Sequence, residues 1–249
     1  MLSARPVWPV AVACLLLAGC ASQVDGRAVG TAPGTGVAPP PSPVPHVARA
    51  LDQVLPTTQE LSGALGIAPT GLMGQLVQGG ADMLLRGVEQ TQAVPAECVS
   101  ATYRLQQMTY ADSPVHAVAT RSWAGGGLDG PSVTGYFGVV QFASAADAQA
   151  FFASAAEKWR QCDGRTMVLQ QAGGGGEQSR ISDVVVDPRL VSAVVVHDAG
   201  DAGVTLQRAL GVADDCIVDI EITDVADALA GGAHDAVDVA DVMLGKVAG

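Results

Sequence analysis

A chain of 249 residues with 13 Lys and Arg against 25 Asp and Glu carries a formal net charge of −12. That balance excludes the clustered basic surface through which nucleic acid or anionic lipid is bound, while 49% hydrophobic residues are too many for a wholly disordered chain. The length allows one or two domains, and a core of roughly 150–200 residues buries enough surface to fold alone.

The N-terminus predicts an address. Residues 7–19 form an apolar run behind Arg5, too short for a bilayer core that takes roughly 20 residues to cross but the size of a secretory h-region. Leu17-Ala18-Gly19-Cys20 resembles the lipobox of bacterial lipoproteins. That likeness implies cleavage before Cys20 and a diacylglyceryl thioether on its sulfur; an ordinary signal peptide with a chance cysteine is the rival. Two acyl chains anchor stably, and no later segment reaches about 18 uninterrupted apolar residues. The expectation is a protein held on the extracytoplasmic face of the cell membrane by the lipid on Cys20, without spanning it. The organisation expected is a signal peptide over 1–19, lipidated Cys20 with a disordered Pro/Gly-rich tether over 20–46, and a folded domain over 47–249.

Within that domain, residues 47–65 predict helix, interrupted at Pro56 and capped again by Thr57 or Thr58. Leu72, Met73, Leu76, Val77, Met83, Leu84 and Val88 continue at helical spacing across Gly79-Gly80, a pattern that reads as a core-facing stripe. Residues 115–123 and 133–142 predict strands, and Ser144 caps a helix running to Trp159 with Ala148, Phe151, Phe152 and Ala155 on one side. Residues 165–170, 180–186, 190–197, 204–210 and 216–223 predict further strands joined by Gly- and Asp-rich turns, and residues 234–247 a last helix. Short connections favour antiparallel pairing. The fold class expected is α+β, an antiparallel sheet flanked by helices.

Of the 5 cysteines, Cys14 falls in the discarded segment and Cys20 takes the lipid, leaving Cys98, Cys162 and Cys216. Disulfides persist outside the cytosol. Cys216 alternates onto the apolar face with Val218, Ile220 and Ile222, opposite Asp219 and Glu221, and reads as a buried thiol. Cys98 and Cys162 are the remaining pair, with two unpaired structural thiols as the rival.

Several short motifs share an order and spacing. Pro95-Ala96-Glu97-Cys98, Val139-Val140-Gln141-Phe142 leading into Ala145-Ala146-Asp147-Ala148, Trp159-Arg160-Gln161-Cys162, Gln207-Arg208-Ala209-Leu210 and Ile217-Val218-Asp219-Ile220 together resemble the extracellular sensor domain of the mycobacterial PknH-type receptor Ser/Thr kinase, a domain that also occurs alone in secreted lipoproteins. The resemblance implies a cleft that receives a ligand and a disulfide matching Cys98–Cys162. It also implies a second disulfide at positions that here hold Leu206 and Thr223. No kinase domain accompanies the pattern.

Catalytic signatures are missing: no G-x-S-x-G, H-E-x-x-H, Walker A or paired CxxC occurs. His46, His116, His197 and His234 are far apart in sequence and read as surface or satisfied residues. Asp235, Asp238 and Asp241 on the last helix, preceded by Asp224 and Asp227, read as a solvated face rather than a calcium loop. The loop from Asp198 to Gly203 reads as a hairpin connection, and the Gly173 to Gly176 run lacks the Lys and helix start of a phosphate cradle. Arg208 stands out, since alternation places it on the apolar face of Leu206 and Leu210, where it either lines a cleft and meets an anionic ligand or pairs with a carboxylate. The expectation is a non-enzymatic sensor or ligand-binding lipoprotein of the cell envelope, with no catalytic residue, metal or cofactor, whose partner is an unknown small ligand. The alternative is a module that docks on another envelope protein, such as a receptor kinase ectodomain, without a small ligand; the third, disfavoured for want of a nucleophile–base pair, is an envelope hydrolase.

Overall fold

The computed structural model describes residues 50–67, 71–127, 130–170, 176–198, 203–224 and 233–248. The signal segment, Cys20, the tether, His46, residues 173–175 and 199–202, and Asp227 lie outside the described residues. In chain order the elements are α1 (Leu51–Val54), α2 (Thr58–Leu65), β1 (Leu72–Met73), β2 (Val77–Gly79), β3 (Ala93–Val94), α3 (Val99–Thr102), α4 (Gln107–Tyr110), β4 (Val115–Gly127), β5 (Gly130–Phe142), α5 (Ala145–Cys162), β6 (Thr166–Gln170), β7 (Gly176–Val186), β8 (Leu190–Asp198), β9 (Gly203–Ala213), β10 (Cys216–Asp224) and α6 (His234–Ala248), with 3₁₀ turns at Ala81–Met83 and Ala96–Cys98.

The strands form one 10-stranded sheet in the order β1-β4-β5-β10-β9-β8-β7-β6-β3, with β2 also on β4. Every ladder is antiparallel; successive strands pair β4 with β5 and β6 through β10 in turn, the arrangement short connections favour. The long crossover is α5, which leaves β5 and returns at β6. Ser144 starts it by accepting from the Asp147 N–H at 3.1 Å, and Ala148, Phe152, Ala155, Ala156 and Trp159 form its buried stripe.

Both faces of the sheet are covered, which is why residues 216–222 of β10 are buried without a break. The α5 face packs Val140, Phe142, Ile181, Val191, Leu210 and Ile217 under Phe152 and Trp159. The opposite face packs Val139, Ala209, Val218, Ile220 and Ile222 under Val239, Met243 and Leu244 of α6, with Leu61 of α2. A capping box starts α2, Thr57 Oγ1 accepting from Glu60 N–H while Glu60 accepts from Thr57 N–H. Lys246 of α6 ties that end down through Glu60 at 2.7 Å.

Two expectations are corrected. Residues 72–79 are not helical: β1 and β2 pair with β4, Leu72 is 79% exposed, and only Ala81–Met83 turns, as a single 3₁₀ turn. Gly71 and Gly79 decide this, since each costs about 1 kcal/mol against Ala in a helix, and a Cβ on Gly71 would sit 2.0 Å from the Trp123 indole nitrogen. Asp235 is buried rather than solvated; it accepts from Gln207 Nε2 at 2.7 Å, and Gln207 Oε1 accepts in turn from the N–H groups of Asp235 and Ala236. Gln207 thereby satisfies donors at the start of α6. Asp238 and Asp241 are exposed.

Leu206 and Thr223 face each other in the β9–β10 ladder, so the two positions without a cysteine are cross-strand neighbours. Cys216 is a buried thiol on the α6 face, donating to Asp215 at 3.4 Å.

Candidate functional site

On the α5 face, the segment from Ala96 to Ser113 lies over the sheet with a 3₁₀ turn and two short α-helices of its own, and contacts distant in sequence fix its course. The Cys98–Cys162 disulfide is present, with Cα atoms 5.7 Å apart, and joins the segment to the end of α5. Next to it, Trp159 Nε1 donates to Ser100 Oγ at 3.1 Å.

Three carboxylates rising from the sheet clamp residues 103–110. Asp219 Oδ2 of β10 accepts from the Leu105 N–H at 2.8 Å and from the Tyr110 hydroxyl at 3.1 Å. Glu221, two residues on and on the same face, pairs with Arg104, whose guanidinium lies 3.6 Å over the Tyr136 ring. Glu177 of β7 accepts from the Tyr103 hydroxyl at 2.8 Å. Leu105 is held at φ +51°, a left-handed conformation that a bulky side chain adopts only under constraint. Its side chain drops onto Gly138, where a Cβ would come within 2.6 Å. Burial and the neighbouring Asp219 push the Tyr110 pKa well above its usual value, so this phenol is a permanent donor.

Arg208 is fully buried beneath the clamp. Its Nη2 meets Asp219 Oδ1 at 2.9 Å and donates to the Ser100 carbonyl at 3.2 Å, while Nη1 donates to the Ile220 carbonyl at 2.6 Å. The pairing with a carboxylate is therefore the geometry observed, and Arg208 is in position to hold Ser100 and Asp219 rather than to face solvent. Asp219, Glu221, Glu177 and His197 were not singled out in the sequence as site residues. The available signal was Arg208 itself: a cation in a central strand demands a buried counter-charge, and Asp219 and Glu221 share its face on the next strand.

His197 is the histidine drawn into this network. Its Nδ1 lies 2.7 Å from Ser179 Oγ and 2.9 Å from Glu177 Oε1, and its ring stacks on Tyr103 with centroids 5.4 Å apart. Ser, His and Glu together suggest a hydrolytic triad, but both oxygens approach the same ring nitrogen. A triad divides the two nitrogens between nucleophile and acid. Burial lowers the His197 pKa, and Arg208 adds to this against the opposing pull of Glu177 and Glu221. The unfolded chain therefore takes up the proton first as pH falls through about 6.5, and stability declines from there until pH passes the lower folded value. Thermal unfolding of the wild type is expected to lose more stability between pH 7 and 5 than that of His197→Gln; equal losses would remove His197 from the acid response.

Beside the clamp a cleft of about 710 Å³ opens between the 96–113 segment and α5. Ser100, Met108 and Thr109 line the cleft from the 96–113 segment, and Phe151, Ser154 and Lys158 line it from α5. The cleft touches the buried network twice. Ser100 binds Arg208 and Trp159, and Phe151 stacks on Tyr110 at 4.6 Å between centroids. The clamp thus sets the position of one wall, and the disulfide joins that wall to the other.

Comparison with known proteins agrees with the resemblance read in the motifs. The family model for the PknH-like extracellular domain matches residues 47–246. The crystal structure of the extracellular domain of PknH from Mycobacterium tuberculosis is similar, with a TM-score of 0.64 at 21% identity over 79% of this chain and 93% of that one; this likeness shows the fold. An uncharacterised protein of Mycobacterium smegmatis aligns with a TM-score of 0.38 and 9% identity, over 77% of this chain and 95% of its own. No curated protein matches. The α+β architecture expected from the sequence is thereby shown.

Proposed function

The chain belongs to the PknH-like extracellular domain family, and we propose that it acts as a lipid-anchored, non-enzymatic sensor in the cell envelope, with the cleft between α5 and the 96–113 segment as its ligand site. The observation that carries this is the cleft itself: about 710 Å³ is the size of a small-molecule site, and one wall is held by buried charge rather than by its own secondary structure. The anchor rests on Leu17-Ala18-Gly19-Cys20, where two acyl chains give stable attachment. Among the described residues no helix is long and apolar enough to cross a membrane.

Native mass spectrometry of the full-length protein from its host's envelope tests both parts. Mass that survives denaturation and maps to Cys20 is the expected lipid; mass that leaves on denaturation, and is missing from Ser154→Trp, is the expected ligand. A bare polypeptide would overturn both. The alternative, a module that docks on another envelope protein, is favoured by the exposed Leu72, Leu76 and Val77 at one sheet edge, and crosslinking through that edge with an empty cleft would select it.

A further inference from the structure

The chemistry of the cleft narrows its occupant. Asp112 and Lys158 stand in the lining, and Glu97 is already matched by Arg165 at 3.1 Å, so the formal charge left inside sums to zero. A phosphate or other polyanion is recognised by clustered Arg and Lys, which the lining lacks. An acyl chain calls for a continuous apolar wall, whereas Thr109, Ser113 and Ser154 interrupt the apolar surface of Met108 and Phe151. Each of those hydroxyls both donates and accepts, and the Asp112 carboxylate accepts two donors at once. The complement of such a lining is a neutral molecule with many hydroxyl groups and C–H faces between them.

We propose that the cleft binds a neutral saccharide, an inference that rests on the cleft being the ligand site. Asp112 accepts a pair of sugar hydroxyls, the Ser and Thr hydroxyls exchange single hydrogen bonds, and Met108 with Phe151 meets a C–H face.

The test uses the full-length protein in detergent, with triacetylchitotriose, maltotriose and mannotriose as probes and trialanine and inorganic phosphate as controls, read by saturation-transfer NMR. At least one trisaccharide is expected to bind. Asp112→Asn should weaken it about tenfold, the scale of a hydrogen bond to a charged acceptor, and Ser154→Trp should abolish it. Both positions are solvent-exposed, so both variants should retain the wild-type circular dichroism. Binding of none of the three sugars, or sugar binding unchanged in Ser154→Trp, overturns the saccharide assignment. Trialanine or phosphate binding that Ser154→Trp removes, with no sugar bound, overturns the sugar alone and leaves the cleft as a ligand site. No probe bound, together with a bare polypeptide in native mass spectrometry, overturns both.

Discussion

Asp219→Ala is expected to lower the unfolding free energy by about 3–5 kcal/mol, the cost of removing one partner of a buried ion pair. The magnitude follows from what the carboxylate does. It faces Arg208, which is fully buried and 2.9 Å away, and its other oxygen accepts from Leu105 N–H and the Tyr110 hydroxyl. Without it a guanidinium stays in the core with two carbonyls and the Trp159 ring beside it but no counter-charge against it, and Leu105 keeps an unfavourable φ after losing the acceptor that held it. Denaturant unfolding at neutral pH measures the loss. Adding Arg208→Met to Asp219→Ala should recover part of it, since the uncompensated charge goes too; a pair of similar volume made apolar is often near neutral. A single variant within 1 kcal/mol of wild type would show that the clamp contributes no net stability.

The sheet and the clamp differ in how far the sequence reveals them. Alternation in residues 216–223 marks β10, and the Ser144 cap followed by Ala148, Phe152, Ala155 and Trp159 marks α5, because a strand or helix burying one stripe repeats with its own period. Alternation also says that Asp219 and Glu221 share a face. It does not say that a second layer covers that face, because the covering segment has no period. Residues 96–113 take their course from a disulfide 64 residues away in sequence and from carboxylates on β10 and β7. Cleft walls built from such a segment and from 151–158 of α5 are brought together only by the tertiary fold. Residues 72–83 mislead for a related reason: their Leu and Met spacing suits a helix stripe, but glycines packed on Trp123 and Met83 suit strands on β4. The buried Asp235 is invisible in the helix pattern because its partner, Gln207, lies on a strand.

The second large effect is expected from the disulfide. Replacing both Cys98 and Cys162 by Ser should cost about 4 kcal/mol on the chain-entropy account for a loop of this length, lowering the melting temperature by roughly 10 °C for a domain of this size. Both cysteines are fully buried. In the reduced protein the Trp159–Ser100 hydrogen bond and the packing of Val99 and Ala101 against the α5 stripe still join α3 to α5, but the hydrogen bond contributes only about 1 kcal/mol. The position of the bridge separates two consequences. Cys98 lies between Glu97 and Ser100 of the cleft, and Cys162 lies one turn beyond Lys158, so the bridge sets the spacing of the two walls. Neither bridged cysteine lies in a strand, so the bridge touches none of the sheet's ladders directly. Cys98→Ser/Cys162→Ser is therefore expected to keep its β-sheet circular dichroism at 25 °C while losing the mass that wild type retains under native conditions. Retained ligand with a lowered melting temperature would confine the disulfide to stability, and the carboxylate clamp alone would then hold the wall in place.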